Sequence, residues 1–227
     1  MVPGATDVIL NTFMDPGDSR APTVGEPFAR YVYDPSHALQ EFASAGWQRD
    51  GAGRLVNRSG EPIALVVRST GGSGSEKEIA VIAHFWRDLG MEVAEEILPE
   101  SQSNNLELRA KFSAFETTSV TGGETTLGRW DSRIAPTPEG RWAGNNRGGY
   151  VNPALDRIID TIKSTLDEAE QGRLLQAGGE IIATDLPAMP LYHAVTAAVV
   201  RKGVRALFDD FAGTGSLSRN AHLWDRD

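Results

Sequence analysis

Apolar positions along the chain change period several times, and the changes mark its elements. Ile63 to Arg68 is a short β-branched run, as expected of a strand covered on both faces. After the Gly/Ser stretch 70 to 75, Ile79, Ile82, Ala83, Trp86 and Leu89 recur at helical spacing, which predicts a helix from about Glu76 to Leu89 closed by Gly90. Met91 to Leu98 reads as the next strand, so this region forms a β-α-β unit with a parallel pair. A short helix over about 103 to 111 and a strand from Ser113 to Ser119 continue the alternation, and the class is α/β.

Helix starts are marked by local chemistry. Asp34-Pro35 supplies an N-cap and a first helical residue, and the stripe Ala38, Leu39, Phe42, Ala43 and Ala45 runs to Gly46. Trp47 to Ile63, with Asp50-Gly51 and Ser59-Gly60 turn signals, reads as a small hairpin. Asn152-Pro153 repeats the start signal before Leu155, Ile158, Ile159 and Ile162, and Asp167 caps a helix carrying Leu174, Leu175, Ile181 and Ile182. Asp185-Leu-Pro187 ends it, and Met189 to Arg201 reads as a strand. Residues 1 to 30 are a Pro/Gly/Asp-rich lead-in without periodicity.

Just before the Asn152 cap lies a group of side chains suited to recognition. Arg141, Trp142, Asn145, Asn146 and Arg147 can stack, fork and donate, with Gly144, Gly148 and Gly149 between them. A polar loop docked on a rigid helix is a common binding wall, and a solvated surface loop is the other reading of the same composition. The 227 residues carry a net charge of −9, which argues against a nucleic-acid partner. From Glu124 to Tyr150, however, four arginines outnumber three acids, making a mildly basic island on an acidic chain.

Other chemistry is sparse. The chain has no cysteine, and its four histidines, His37, His84, His193 and His222, stand at no metal-binding spacing, so no metal or cofactor is expected. No apolar run approaches the roughly 18 residues of a membrane span, and the N-terminus lacks the pattern of an export signal. Glu95 and Glu96, adjacent on a strand, point to opposite faces and cannot act as a pair. The stretch Thr70-Gly-Gly-Ser-Gly-Ser75 between strand and helix could attract an anion, which keeps open a small α/β nucleotide- or anion-binding enzyme domain as the alternative. Trp86 belongs to an apolar helix stripe and is expected in the core, and Trp224 is expected to anchor the tail. Trp130 and Trp142, each preceded by an arginine, are candidates either for ligand contact or for packing under the loop.

Several segments together resemble a known family. They are Tyr33-Asp-Pro35, Ala45-Gly-Trp47, Gly60-Glu-Pro62-Ile63, Leu89-Gly-Met-Glu-Val93, Asn145-Asn-Arg-Gly-Gly-Tyr-Val-Asn-Pro153 with Asp156, Asp185-Leu-Pro, Met189-Pro-Leu-Tyr192 and Asn220-Ala-His-Leu-Trp-Asp225. Over residues 25 to 227 their order and spacing are similar to the C-terminal part of the family 5 extracellular solute-binding proteins, the oligopeptide, dipeptide and nickel receptors of ABC importers. The resemblance implies a periplasmic-binding-protein type II-like C-terminal lobe, a mixed sheet flanked by helices. It divides the chain into a lead-in at 1–30, a solute-binding lobe at 31–186 and a returning strand and tail at 187–227. It also implies that a first lobe and an export signal precede this sequence in a periplasmic or extracellular parent, for which a lipoprotein anchor is one form.

The implied function is non-enzymatic. The chain would bind an oligopeptide or other small solute for transport through ABC permease subunits. Glu124, Arg129, Trp130, Arg141, Trp142, Asn145 and Asn146 would line the site, while Asn152, Pro153 and Asp156 would be structural. Peptide receptors of this family often carry Trp-x-x-Asp where this chain has Thr121-Gly122-Gly123-Glu124, so Glu124 is the expected partner of a peptide amine.

Overall fold

A computed structural model describes residues 13, 20, 29–71, 73–119, 127–192, 204–205 and 225–226. The chain divides into two compact units, one built from Tyr31–Ser119 with Pro136–Arg147, the other from Met1–Arg30, Val120–Ala135 and Gly148–Asp227. The span 31–186 expected to form one lobe is therefore shared between them. We call them the sheet unit and the helical unit.

The sheet unit begins with helix α1 (Pro35–Ser44), whose N-cap Asp34 accepts a hydrogen bond from the His37 N–H at 2.9 Å. Strands β1 (Gln48–Arg49) and β2 (Leu55–Val56) pair antiparallel as the expected hairpin. Strand β3 (Ala64–Thr70) then lies at the centre of a parallel three-stranded sheet, flanked by β4 (Glu92–Leu98) and β5 (Phe115–Glu116). Helix α2 (Ser73–Asp88) connects β3 to β4, and its buried Ile79 and Ala83 join Leu55, Val67, Met91 and Val93 in one core. Trp86 packs at the edge of that core, its ring 4.9 Å from Phe115. A single 3-10 turn (Glu100–Gln102) and helix α3 (Leu106–Ala110) replace the longer helix expected at 103 to 111, and β5 is shorter than the strand expected at 113 to 119.

Helix α2 begins three residues earlier than its apolar stripe suggests. Ser73 and Gly74 are already helical, and the Gly71 N–H donates to the Leu98 carbonyl at 2.7 Å. Of the stretch 70–75, Thr70 ends β3 and Ser73 to Ser75 already belong to the helix, while Gly72 lies outside the described residues.

In the helical unit, Asn152 caps α4 (Pro153–Ser164) by accepting from the N–H groups of Ala154 and Leu155 at 2.9 and 3.2 Å. Asp167 caps α5 (Glu168–Asp185) through the Glu170 N–H. Leu155, Ile159 and Ile162 of α4 meet Leu175 and Ile182 of α5, each burial stabilising the unit by about 1.5–3 kcal/mol. A Cβ at Gly178 would lie 2.8 Å from Leu127 Cδ1, so the absence of a side chain there lets α5 approach that core closely. Asp156 accepts from the Ser132 N–H and hydroxyl at 2.9 and 2.5 Å, which ties the start of α4 to the 3-10 turn Ser132–Ile134. Strands β6 (Val204–Arg205) and β7 (Asp225–Arg226) pair antiparallel. Most of the strand expected at Met189 to Arg201, and Trp224, lie outside the described residues.

Two positions generate predictions. Helix α2 ends in a Schellman motif, with the Met91 N–H bonded to the Trp86 carbonyl at 3.2 Å and Gly90 at φ +98°. A Cβ on Gly90 would lie 2.4 Å from the Gly53 carbonyl oxygen. Gly90→Ala should therefore cost about 2–4 kcal/mol in chemical unfolding, from left-handed strain plus a backbone clash; an unchanged midpoint would refute this packing. In the helical unit the Tyr150 hydroxyl donates to Asp185 at 2.5 Å, and burial together with that bond pushes the phenol up to about 12. The folded state thus favours the protonated phenol. Its contribution is complete below the ordinary value near 10 and is lost as pH rises through about 12. Urea unfolding between pH 9 and 12 should show this loss, and Tyr150→Phe should lack that component.

Candidate functional site

The centre of the sheet unit holds charge where its neighbours are apolar. Arg68 sits next to Val67 on the middle strand, and only 1% of it is exposed. Its register partner on β5 is Glu116, whose side chain is 4% exposed. The Arg68 Nη atoms donate to the carbonyls of Leu108, Arg109 and Lys111 at 2.9, 3.1 and 3.4 Å, so the guanidinium closes the C-terminal end of α3, where carbonyls lack helical partners. Its Cζ lies 5.6 Å from the centre of the Phe112 ring.

Glu116 faces two further arginines. Arg109 donates to Oε1 through Nε and Nη2 at 3.1 and 3.0 Å, Arg147 reaches Oε2 through Nη1 at 3.4 Å, and Arg68 Nη2 stands 3.8 Å from Oε1. Three guanidinium groups therefore share one carboxylate. Burial, and then the like charge of Arg109, hold the Arg147 guanidinium below its ordinary pKa, against the pull of Glu116.

The segment carrying Arg147 is strained. Arg141 and Trp142 occupy φ +53° and +61°, consecutive left-handed conformations that cost non-glycine residues about 1–2 kcal/mol each. Backbone bonds hold them there, from the Arg141 N–H to the Pro138 carbonyl at 3.0 Å and from the Trp142 N–H to the Thr137 carbonyl at 2.8 Å. The Lys111 Nζ lies 4.6 Å from the centre of the Trp142 ring, a cation–π distance. Arg141 and Asn145 are exposed, Trp142 is half-buried, and Asn146 is buried at 2% exposure.

The residues expected to line one site fall on both units. Arg141, Trp142, Asn145 and Asn146 belong to the sheet unit, whereas Arg129 and Trp130 occupy the turn Gly128–Trp130 of the helical unit. Trp130 is a core side chain rather than a wall residue. At 5% exposure it packs with Leu127, Leu155 and Ile159, with the Phe13 ring edge-on at 4.8 Å. Beside it, hydrogen bonds from Arg133 hold the buried Asp131 carboxyl below the usual carboxylate range. Glu124 lies outside the described residues. Sequence reasoning missed Arg68, Arg109 and Glu116, although an arginine ending an otherwise apolar strand run was a readable sign of a buried charge.

Among the described residues no group of three or more His, Asp or Glu side chains is placed to hold a metal, and no helix is long and apolar enough to cross a membrane. No family model matches the chain. Its structure aligns over 86% of its length with 35% of the oligopeptide binding protein from Thermus thermophilus, solved with a pentapeptide, at TM-score 0.71 and 22% identity. The chain has the fold of part of that binding protein. The same fold relates 91% of the chain to 42% of NikZ from Campylobacter jejuni in complex with Ni(L-His), at TM-score 0.67 and 15% identity. It also relates 82% of the chain to 36% of the mannohexaose-bound periplasmic oligopeptide-binding protein from Thermotoga maritima, at TM-score 0.68 and 20% identity. The chain thus spans about 35–42% of the length of these solved structures. In sequence, 50 residues are 39% identical to an uncharacterized lipoprotein of Mycobacterium tuberculosis, covering 22% of this chain and 9% of that protein.

The arginine cluster gives a prediction independent of any ligand. Glu116→Gln leaves three neighbouring guanidiniums without a counter-charge and should lower unfolding free energy by about 3 kcal/mol or more. Denaturant titration with a Glu116→Asp control checks this; equal stability of Glu116→Gln and the parent would mean that the carboxylate does not hold the cluster.

Proposed function

We propose that the chain supplies solute contacts in the substrate-binding protein of an ABC importer, outside the membrane, and that the solute is an oligopeptide or a similar small molecule passed to permease subunits. The observation that carries this reading is the shared fold with the Thermus thermophilus oligopeptide binding protein over 86% of the chain. The words "periplasmic" and "lipoprotein" in the names of similar proteins support an extracytoplasmic place, membrane-anchored in the lipoprotein case. The role is binding without bond-making, in keeping with what those structures are named for.

Within the sheet unit, Arg141, Trp142 and Asn145 are the solute contacts in this reading, with the buried Asn146 supporting the loop from behind. Trp142 offers a ring face to apolar or cationic groups, and the Arg141 fork suits a carboxylate or a peptide carbonyl. Strain at both residues supports a binding role, because consecutive left-handed non-glycine residues persist only where the surroundings impose them.

Calorimetry on the natural protein carrying this sequence, against panels of peptides, sugars and metal chelates, tests the proposal. Peptides should bind, and Trp142→Ala should weaken them about tenfold, the loss expected of one well-packed aromatic contact. Peptide affinity unaffected by Trp142→Ala together with Arg141→Ala would contradict the site, and binding confined to metal chelates would contradict the solute class.

A further inference from the structure

The arginine cluster carries more positive charge than its single carboxylate balances. Arg68, Arg109 and Arg147 all converge on Glu116, which among the described residues leaves two positive charges uncompensated in a largely buried setting. Charges removed from water in this way are costly unless paired. Two observations show that the hydrogen-bonding capacity is also unused. The buried Arg68 Nε has no partner among the described residues. Arg147, 16% exposed, makes only the long Nη1 bond to Glu116 among them, so its Nε and Nη2 edge has no acceptor there.

The two arginines beside Arg68 differ in what they can still offer. Arg109 spends Nε and Nη2 on Glu116 and Nη1 on the Ser103 carbonyl at 3.4 Å, so it is committed to structure. Arg147 keeps an Nε/Nη2 fork, the geometry that takes a carboxylate through two parallel bonds. It follows directly on Asn145 and Asn146 in the recognition segment.

From this geometry we infer that Arg147, backed by Arg68 and Arg109, forms a subsite for one carboxylate group. The inference rests on the importer reading only for the claim that the carboxylate belongs to the transported solute. Glu116 has a positioning role: it holds the three guanidiniums together and keeps the cluster from an even larger charge excess. A carboxylate at Arg147 would bring the net charge of the cluster from +2 to +1 while filling the unused fork.

The test uses the full chain labelled with 15N and follows the arginine Nε–Hε signals by NMR at constant ionic strength, with acetate as probe and acetamide, phosphate and chloride as comparisons. Acetate should shift the Arg147 signal saturably, and acetamide should not. Arg147→Gln should weaken acetate binding, read from backbone amides around Asn146, by about tenfold or more, the loss expected of a charge-assisted pair. Arg147→Lys, which keeps the charge but loses the fork, should fall between. Equal responses to chloride and acetate would reduce the effect to screening and overturn the subsite, as would acetate binding untouched by Arg147→Gln. Phosphate binding more tightly than acetate would overturn the assignment to a carboxylate. Acetate binding at Arg147 in a protein that takes up no peptide, sugar or chelate would support the subsite and remove the importer reading, whereas peptide binding without acetate binding would remove the subsite alone.

Discussion

The carboxylate of Glu116 is where four segments of the sheet unit are held to one another. Arg68 comes from the central strand β3, Arg109 from α3, Glu116 from β5 and Arg147 from the end of the segment 136–147, and each guanidinium lies within 4 Å of the same acid. Apolar packing of α2 on β3 and β4 would build the sheet without this acid. What it adds is position: β5 contributes only two residues to the sheet, and the register pair Arg68–Glu116 together with the bond from the Thr117 N–H to the Arg68 carbonyl at 2.8 Å fixes where that strand lies. Because Arg68 also closes the end of α3, loss of the acid would reach from the sheet into the helix beside it.

The same cluster explains how a strained segment can be tolerated. Arg141 and Trp142 hold unfavourable backbone conformations, with turn hydrogen bonds on one side and the Arg147 attachment five residues further along. In the proposed binding role, a segment fixed in this way would present its side chains without having to be ordered when a solute arrives, which would lower the entropic cost of binding. The fold itself does not choose the solute. The solved structures that share it hold a pentapeptide, mannohexaose and Ni(L-His), so selectivity belongs to individual side chains carried on a common frame.

Local signals in the sequence were legible and distant ones were not. Asp34, Asn152 and Asp167 could be read as caps because the bond each makes lies within three residues of itself. The strand–helix–strand series β3, α2 and β4 was likewise carried by periodicity. Composition misled within Gly/Ser 70–75, where Ser73 to Ser75, residues typical of loops, already belong to the first helical turn of α2. Trp130 looked like a wall residue beside Arg129, yet its burial is decided by Leu155 and Ile159, more than 20 positions along the chain. Arg68 and Glu116 lie 48 residues apart in sequence, and only strand register brings them opposite one another. The positive φ angles of Arg141 and Trp142 have no sequence signature at all, since neither residue is glycine or asparagine.

Whether one buried acid organises the sheet unit comes down to energetic coupling. A double-mutant cycle on unfolding free energy, pairing Glu116→Gln with Arg109→Gln, measures it most directly. Coupling of about 1–3 kcal/mol between the two positions is the predicted result. Additive effects, with each substitution costing the same whether or not the other is present, would contradict it and leave the arginine cluster as an arrangement without a common hold.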